Sequence, residues 1–460
     1  MGQYDSMINI SITEGAQGVS VTGFGTQLIL SPNANFNART MVVTDANSSL
    51  AAALCGGSSA PEYAAVQAAF AQNPRPTSLK LGYVGGTRVL TDNDGTWTAG
   101  SAVVTVNGNE YTQAFSTDKD TSMAALAAQI QGDDDVNTAV YSAGSNTITI
   151  TAATGSQLAI TFDLDGITGT MTFTLSATQS EDYDDAIDAI RLEDDEWFMV
   201  TVPDRTQADV EAIALKVQTL EKLFITASAD TDIADTTPAA DTTTVAAVLK
   251  AAAYDHTAGI YHTGAATAYP DAALCGYLGS QSKPGSYSAA YKKLVGQTPD
   301  ALTPTQESNI LGDPADPTSG KNFNTYETVG GAGRLRYGKT CAGGVYYIDY
   351  VIFKMWLRAR LQEAIFSALA SLPKLPATLD GLTTIYNAMA GVFKQGQVNS
   401  AITDYSEDAD GVQDGGWYVS MPDLSSRSTA DKTARRLTGT TFGCWYTNGI
   451  HTMSITGVIN

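Results

Sequence analysis

Apolar and polar residues alternate strictly near the start of the chain. In Met7–Gly15, MINISITEG, the residues Ile8, Ile10 and Ile12 alternate with Asn9, Ser11 and Thr13. A period of two with one apolar face predicts a β-strand. The other end repeats the pattern: in IHTMSITGVIN, His451, Met453, Ile455 and, past Gly457, Ile459 share one parity. An unpaired strand is a sticky edge. Both terminal strands must therefore enter the chain's own sheets or pair with other chains, and Ile8, Ile10, Ile12, Met453, Ile455 and Ile459 are the candidate contacts.

The pattern changes several times in between. Strands are expected at Gln27–Leu30 and Met41–Thr44, a helix in APEYAAVQAAFAQNP and a strand in SLKLGYVG. Over 92–178 the chain becomes rich in Thr, Ser, Gly and Asp, with short alternating strands. Asn107-Gly108 inside SAVVTVNGNEYTQAF signals a tight hairpin. From 179 an α/β rhythm resumes. EWFMVTVPD reads as a strand buried on both faces, TQADVEAIALKVQTLEK as a helix with a Thr206/Asp209 capping pair, then LFITAS, DTTTVAAVLKAAAY and GIYHTG as strand, helix and strand. Such alternation implies a parallel sheet with crossover helices. Residues 303–320, TPTQESNILGDPADPTSG, read as a loop near a domain boundary. Beyond it, Tyr350, Phe353, Leu357, Leu361, Ala364 and Ala368 mark one face of a long helix, widened by Ile352, Met355 and Trp356. A helix over Leu379–Phe393 and three strands complete an α+β unit.

The expected organisation is thus multidomain, α/β and α+β. A terminal strand lies in 1–20, a central parallel-sheet α/β domain in 21–91 and 179–320, and an inserted β-rich surface domain in 92–178. A C-terminal α+β domain occupies 321–448, with a last strand in 449–460.

Charge sharpens the division. The 460 residues carry a net charge of -22. Residues 1–320 hold 13 Lys+Arg against 37 Asp+Glu, whereas 321–460 hold 13 against 11. An acidic body is joined to a near-neutral end, and binding to nucleic acid through phosphates is not expected. There is no long charge-free apolar run and no basic leader, so neither membrane insertion nor a secretory signal is expected. Cys55, Cys275, Cys341 and Cys444 have no metal or redox spacing and suggest buried free thiols.

Four chemical readings arise from the sequence. GRLRYGKT, Gly333–Thr340, matches the phosphate-cradling pattern G-x-x-x-x-G-K-[ST] and leaves an NTPase using Lys339 open. Its context is poor: the upstream segment is polar and Gly-broken, and Gly343 and Gly344 interrupt any helix starting at Lys339. Asp204, His256 or His262, and Ser286 occur in the order of a subtilisin-type triad, without a local signature around the serine. The two histidines lack zinc spacing. Nine acidic residues and one Arg over 181–196, and the strings Asp163–Gly166 and Asp408–Gly411, fall short of a calcium loop. No residue is assigned to catalysis, a cofactor or a metal, and the chain is not expected to be an enzyme.

The segment YGKTCAGGVYYIDYVIFKMWLRARLQEAIFSAL combines a Gly-rich turn, a small-residue step, Ile348-Asp349 and an aromatic-basic helix reading W-L-x-x-x-L-Q. In this it resembles the contractile tail sheath proteins of long-tailed bacteriophages. PDRTQADVEAIALKVQ and the strands after it are similar to the sheath's central domain, and the two terminal strands to the arms that sheath subunits exchange. The resemblance covers most of 1–91 and 179–460. It implies a central domain of subtilisin-like topology without catalysis and six-fold rings stacked helically around a tail tube. It also implies neighbours linked by exchanged terminal strands. Partners would be further copies, the tail tube protein, the baseplate and the neck or terminator proteins. The location would be the virion tail, after assembly in the host cytoplasm. A non-contractile virion or surface protein built from the same modules is the alternative reading.

Overall fold

The computed structural model describes residues 25–220, 222–313, 316, 319–343, 347–405 and 415–451. The chain divides into two compact units, one spanning 24–351 with His451 and the other 352–450.

The first unit is organised by an eight-stranded sheet. Its strands run, from one edge to the other, Ala332–Leu335, Asn324–Val329, Thr257–Tyr261, Leu223–Ser228, Met199–Thr201, Gln27–Ser31, Leu79–Tyr83 and Thr40–Val43. The six inner strands are parallel to one another, and the strand at each edge is antiparallel to its neighbour. The run Gln27–Ser31 shows how the sheet is covered. Leu28 and Leu30 enter a core with Ile187, Ile190, Trp197, Ile213 and Val217. Ile29 points the other way, into a core with Phe36, Val66, Phe70 and Leu81. Successive strand residues face opposite sides, so helices on both faces demand an apolar residue at every position.

The crossover helices are Pro61–Phe70, Gln207–Leu220 and Val245–Ala252. The capping pair read from sequence forms: Asp209 N–H donates to Thr206 Oγ1 at 3.3 Å and the Thr206 hydroxyl to Asp209 Oδ2 at 2.5 Å.

Two segments differ from expectation. Pro304–Leu311 is a helix, although its Pro and Gly content reads as loop. Pro304 occupies the first turn, where its missing N–H costs nothing, and Thr303 with Gln306 forms a reciprocal capping box. The expected domain boundary at 321 also shifts. Asn324–Val329 and Ala332–Leu335 extend the central sheet, and the second unit starts only at Ile352, inside the long helix. The polar, Gly-broken sequence there hides the strands, because Asn324, Thr325 and Glu327 are buried with their polar groups hydrogen-bonded instead of being replaced by apolar ones.

At this sheet edge Glu327 is almost fully buried. Its carboxyl hydrogen-bonds that of Glu307 on helix Pro304–Leu311, and Arg336 Nη1 lies 3.4 Å from Glu327 and 3.5 Å from Glu307. Burial, reinforced by the second carboxyl, pushes the Glu327 carboxyl up to about 7.

The inserted module begins with the strand Gly86–Asp92 and closes with Phe173–Gln179. One sheet runs Phe173–Gln179, Gly86–Asp92, Thr147–Ala152, Val136–Ser142. In the other, Trp97–Val106 pairs with Asn109–Ala114 and with Ile160–Asp163 and Ile167–Gly169. The hairpin turns at Asn107 and Gly108, both at positive φ. With helix Lys119–Ile130 the sheets enclose their own core of Leu90, Val104, Met123, Leu126, Ile148 and Ile150. The module is also docked. Arg88, 1% exposed, donates to Pro32 O at 3.0 Å and Ala34 O at 2.7 Å, and its guanidinium lies over the Tyr83 ring. Asn35 exchanges hydrogen bonds with the backbone of Ile160. An unshared buried guanidinium would be costly, so these carbonyls fix where the module sits.

Among the described residues no helix is long and apolar enough to cross a membrane.

Candidate assembly interface

The second unit has a different economy. The helix Ile348–Ala370 contributes Phe353, Trp356, Leu357 and Leu361 to its interior, all buried, while Tyr350, in the part belonging to the first unit, is half-buried. Phe353 stacks on Trp356 with centroids 6.1 Å apart and meets Tyr446 at 4.9 Å. Helix Leu379–Val398 supplies Phe393, which stacks on Trp417 at 5.2 Å and touches Phe442 at 5.4 Å. Trp417 and Phe442 belong to the strands Trp417–Ser420 and Thr441–Cys444, an antiparallel pair. Among the described residues neither strand has a second strand partner, although just past Cys444 the chain is bridged to 401–403 through Ile402 and Tyr446. The backbone groups left open are those along the outer edges of 417–420 and 441–444 themselves. Two strands make a marginal sheet in water, and a third or fourth strand is the usual remedy.

Apolar surface is concentrated here. Among the described residues eighteen large apolar side chains stand exposed, and ten of them lie in 352–450, Phe366, Leu379, Val398, Tyr418, Phe442 and Ile450 included. A cavity of about 540 Å³ opens between the two helices and the segment 424–442, floored by Ile365, Leu369, Leu382, Ile385 and Met389. Arg427 lines it, its Nη2 held by the carbonyls of Asp431 and Arg436.

The apolar residues singled out on the terminal strands, Ile8, Ile10, Ile12, Met453, Ile455 and Ile459, lie outside the described residues. The last described residue of that C-terminal run, His451, is anchored on the first unit. Its Nε2 lies 2.9 Å from Ser288 Oγ, its carbonyl accepts from the Tyr291 hydroxyl at 2.7 Å, and its ring meets the edges of Tyr291 and Tyr347. Burial, with Lys292 nearby, holds the imidazole below its usual range.

The chemical strings are absorbed by the fold. Lys339 is buried, its Nζ 3.2 Å from Leu311 O and 4.6 Å from the centre of the Tyr337 ring, and desolvation pulls its ammonium down to about 8. The N–H groups of Lys339 and Cys341 donate to Asn324 Oδ1 and Thr257 O, and the next helix among the described residues starts at Ile348. A phosphate cradle needs those N–H groups free at a helix start, so this string is an internal brace. His262 is engaged at both ring nitrogens, Nδ1 accepting from Gly264 N–H at 3.0 Å and Nε2 facing Thr298 O at 2.8 Å. His256 points Nδ1 at Lys222 O. Asp204 is exposed, and Ser286 Oγ is buried without a hydrogen-bond partner. The exposed carboxylates of Asp182, Asp184 and Asp185 cluster at the start of helix Tyr183–Glu193, where acidic groups complement the helix dipole.

Residues 348–460 match the family described as E217 tail sheath protein gp31-like, C-terminal domain. The fold of nearly the whole chain matches a chain of the anti-feeding prophage baseplate in its contracted state, with a TM-score of 0.56, 11% identity and coverage of 98% of this chain and 97% of that one. A sheath tail protein from Desulfitobacterium hafniense aligns at 11% identity over 90% of this chain and 93% of that one with a TM-score of 0.46. One from Listeria innocua aligns at 12% over 86% and 88% with a TM-score of 0.44. No curated protein matches. The fold of the chain is thus similar to that of a chain from a contracted baseplate. Over its C-terminal quarter, residues 348–460, the chain is similar to contractile tail sheath proteins.

Proposed function

We propose that this chain forms the contractile sheath around a tail tube, its copies linked by exchange of their terminal strands. The observation that carries this reading is the two-stranded sheet Trp417–Ser420/Thr441–Cys444, which has no third strand among the described residues, in a chain whose two ends alternate like strands. Residues near Ile8, Ile10 and Ile12 of one copy, and near Met453, Ile455 and Ile459 of another, would add to this sheet. Main-chain hydrogen bonds give such a link its strength, and the alternating apolar side chains set its register. The cluster of Phe353, Leu357 and Leu361 holds the receiving domain together, with Tyr350 at the head of the same helix.

In this reading six copies form a ring, and rings stack helically around the tube. The central domain, of subtilisin-like topology, serves as a rigid body rather than a catalyst, and the near-neutral C-terminal domain faces the tube. The acidic body and the inserted module face outward. The extended lattice is kinetically trapped during assembly. Contraction exchanges poorer interfaces for better ones while the strand links persist, so no nucleotide is consumed. That stroke would drive the tube through the host envelope. The further partners are the tube, the baseplate and the neck or terminator proteins, with no nucleic acid and no direct insertion into a membrane. The particle is a virion tail assembled in the host cytoplasm.

Negative-stain electron microscopy of the purified chain, before and after mild heating or denaturant, tests this. Hollow cylinders or stacked rings are expected. Dispersed monomers in every condition, with and without added tube protein, would overturn the proposal.

A further inference from the structure

The outward face of the inserted module's four-stranded sheet has an unusual composition. Strand register places three cross-strand rows on it. The first is Thr174, Thr91, Thr147 and Ser142. The second is Ser176, Val89, Thr149 and Val140. The third is Thr178, Thr87, Thr151 and Thr138. The intervening residues Leu90, Ile148, Ile150 and Phe173 point into the module's core, so the twelve named positions share the opposite face, and all are half-buried or exposed. Eight are Thr, two Ser and two Val, and none is charged.

Thr suits the open face of any sheet, since branching at Cβ favours strands and the hydroxyl tolerates water. The absence of charge is a separate matter. About a quarter to a third of an ordinary surface is charged, so twelve positions would carry about three or four charges. This chain has 48 acidic residues, which makes their exclusion here more pronounced. The hydroxyls are also unspent. Thr174 donates to Thr91 O and Thr147 meets Ser145, while no other hydroxyl of the twelve has a hydrogen-bond partner among the described residues. Val140, on the edge strand, is 59% exposed.

We propose that this hydroxyl-and-methyl face is a contact surface for the same face of a second copy of the chain. Copies with a net charge of -22 repel over most of their surface. A face without charge is where two can approach, and depletion of charge is what marks the centre of interfaces. Strands about 4.8 Å apart and rows about 6.7 Å apart give it an area of about 400 Å². That is about half of what each partner contributes to an ordinary stable complex. The contact is therefore weak alone, and because it is two-fold it pairs copies that are not head-to-tail neighbours of one ring. The inference is independent of strand exchange, because it concerns only the inserted module.

The test is sedimentation velocity of the full chain over a concentration series, comparing wild type with Val140→Glu/Ser176→Glu. These residues close the two ends of the middle row. A two-fold axis parallel to the strands sets Val140 over Ser176, and one perpendicular to them sets each over itself. Either way the new charges face one another. The expected result is at least a tenfold loss of self-association with circular dichroism and melting temperature unchanged. An equimolar mixture with Val140→Lys/Ser176→Lys should restore it. Thr87→Glu/Thr138→Glu, in the third row, serves if the first variant folds poorly. Association unchanged in the Glu variants, or not restored by mixing, overturns the proposal. So does a wild-type chain that shows no association dependent on this face, whether or not the face binds a neutral polysaccharide.

Discussion

The two units of this chain handle unsatisfied backbone and apolar surface in opposite ways. In the central unit six parallel strands are covered on both faces, and the antiparallel strands Thr40–Val43 and Ala332–Leu335 close the ends. In the C-terminal unit, among the described residues, a pair of short strands has no third strand, and the unit holds more than half of the exposed large apolar side chains. The first pattern belongs to a domain that completes its own core. The second is what the proposed function requires of a domain that strands from other copies would complete.

Substitutions can break this contrast, and the largest effect is expected in the central core. Trp197 is fully buried, with Lys222 Nζ 4.4 Å above its ring. Trp197→Ala should cost about 3–5 kcal/mol, the usual penalty for emptying an aromatic site. Urea unfolding followed by circular dichroism would measure it.

Phe393→Ala should cost about 3 kcal/mol in the C-terminal unit, because Phe393 holds Trp417 and Phe442 together. Hydrogen exchange should quicken over 417–420 and 441–444 while 27–31 stays protected. Equal loosening of both units would erase the contrast.

A smaller effect follows pH. Glu327 binds its proton more tightly folded than unfolded, with a value raised from 4.5 to about 7. Its contribution is therefore complete below pH 4.5 and is lost as pH rises through 7. Exchange over 304–311 and 324–335, corrected for intrinsic rate, should quicken between pH 5.5 and 8.5 in wild type and change less in Glu327→Gln.

Leu379→Ser and Val398→Ser, at residues 77% and 76% exposed, should move unfolding by no more than about 0.5 kcal/mol yet shorten assembled particles in micrographs. The smallest response is the sharpest against an NTPase: magnesium-ATP should leave the melting temperature unchanged, since Lys339 and its neighbouring N–H groups are committed within the sheet.

Much of this was legible from pattern alone. The alternation of Leu28, Ile29 and Leu30 between two cores follows from an unbroken apolar strand, and Asn107-Gly108 marked its hairpin because a two-residue turn demands positive φ. The aromatic face Phe353, Leu357, Leu361 was readable from helical spacing. Other features were hidden for physical reasons. Helix Pro304–Leu311 looks like a loop until its proline is seen in the first turn. Strand Gly86–Asp92 alternates Thr, Val and Thr outward with Arg88 and Leu90 inward, and a buried arginine disguises the inner face. Lys339 completes a phosphate-binding string whose poor context is visible in sequence, and burial with the committed N–H groups removes it. The uncharged face of the inserted module emerges only from register, since its twelve residues come from four separated segments.

The central claim is that terminal strands join copies, and deletion of Met1–Gly15 tests it most directly. The shortened chain should keep the circular dichroism and central unfolding transition of the full chain, yet form neither rings nor cylinders in electron micrographs. Normal assembly of the shortened chain, or its outright unfolding, would contradict the account.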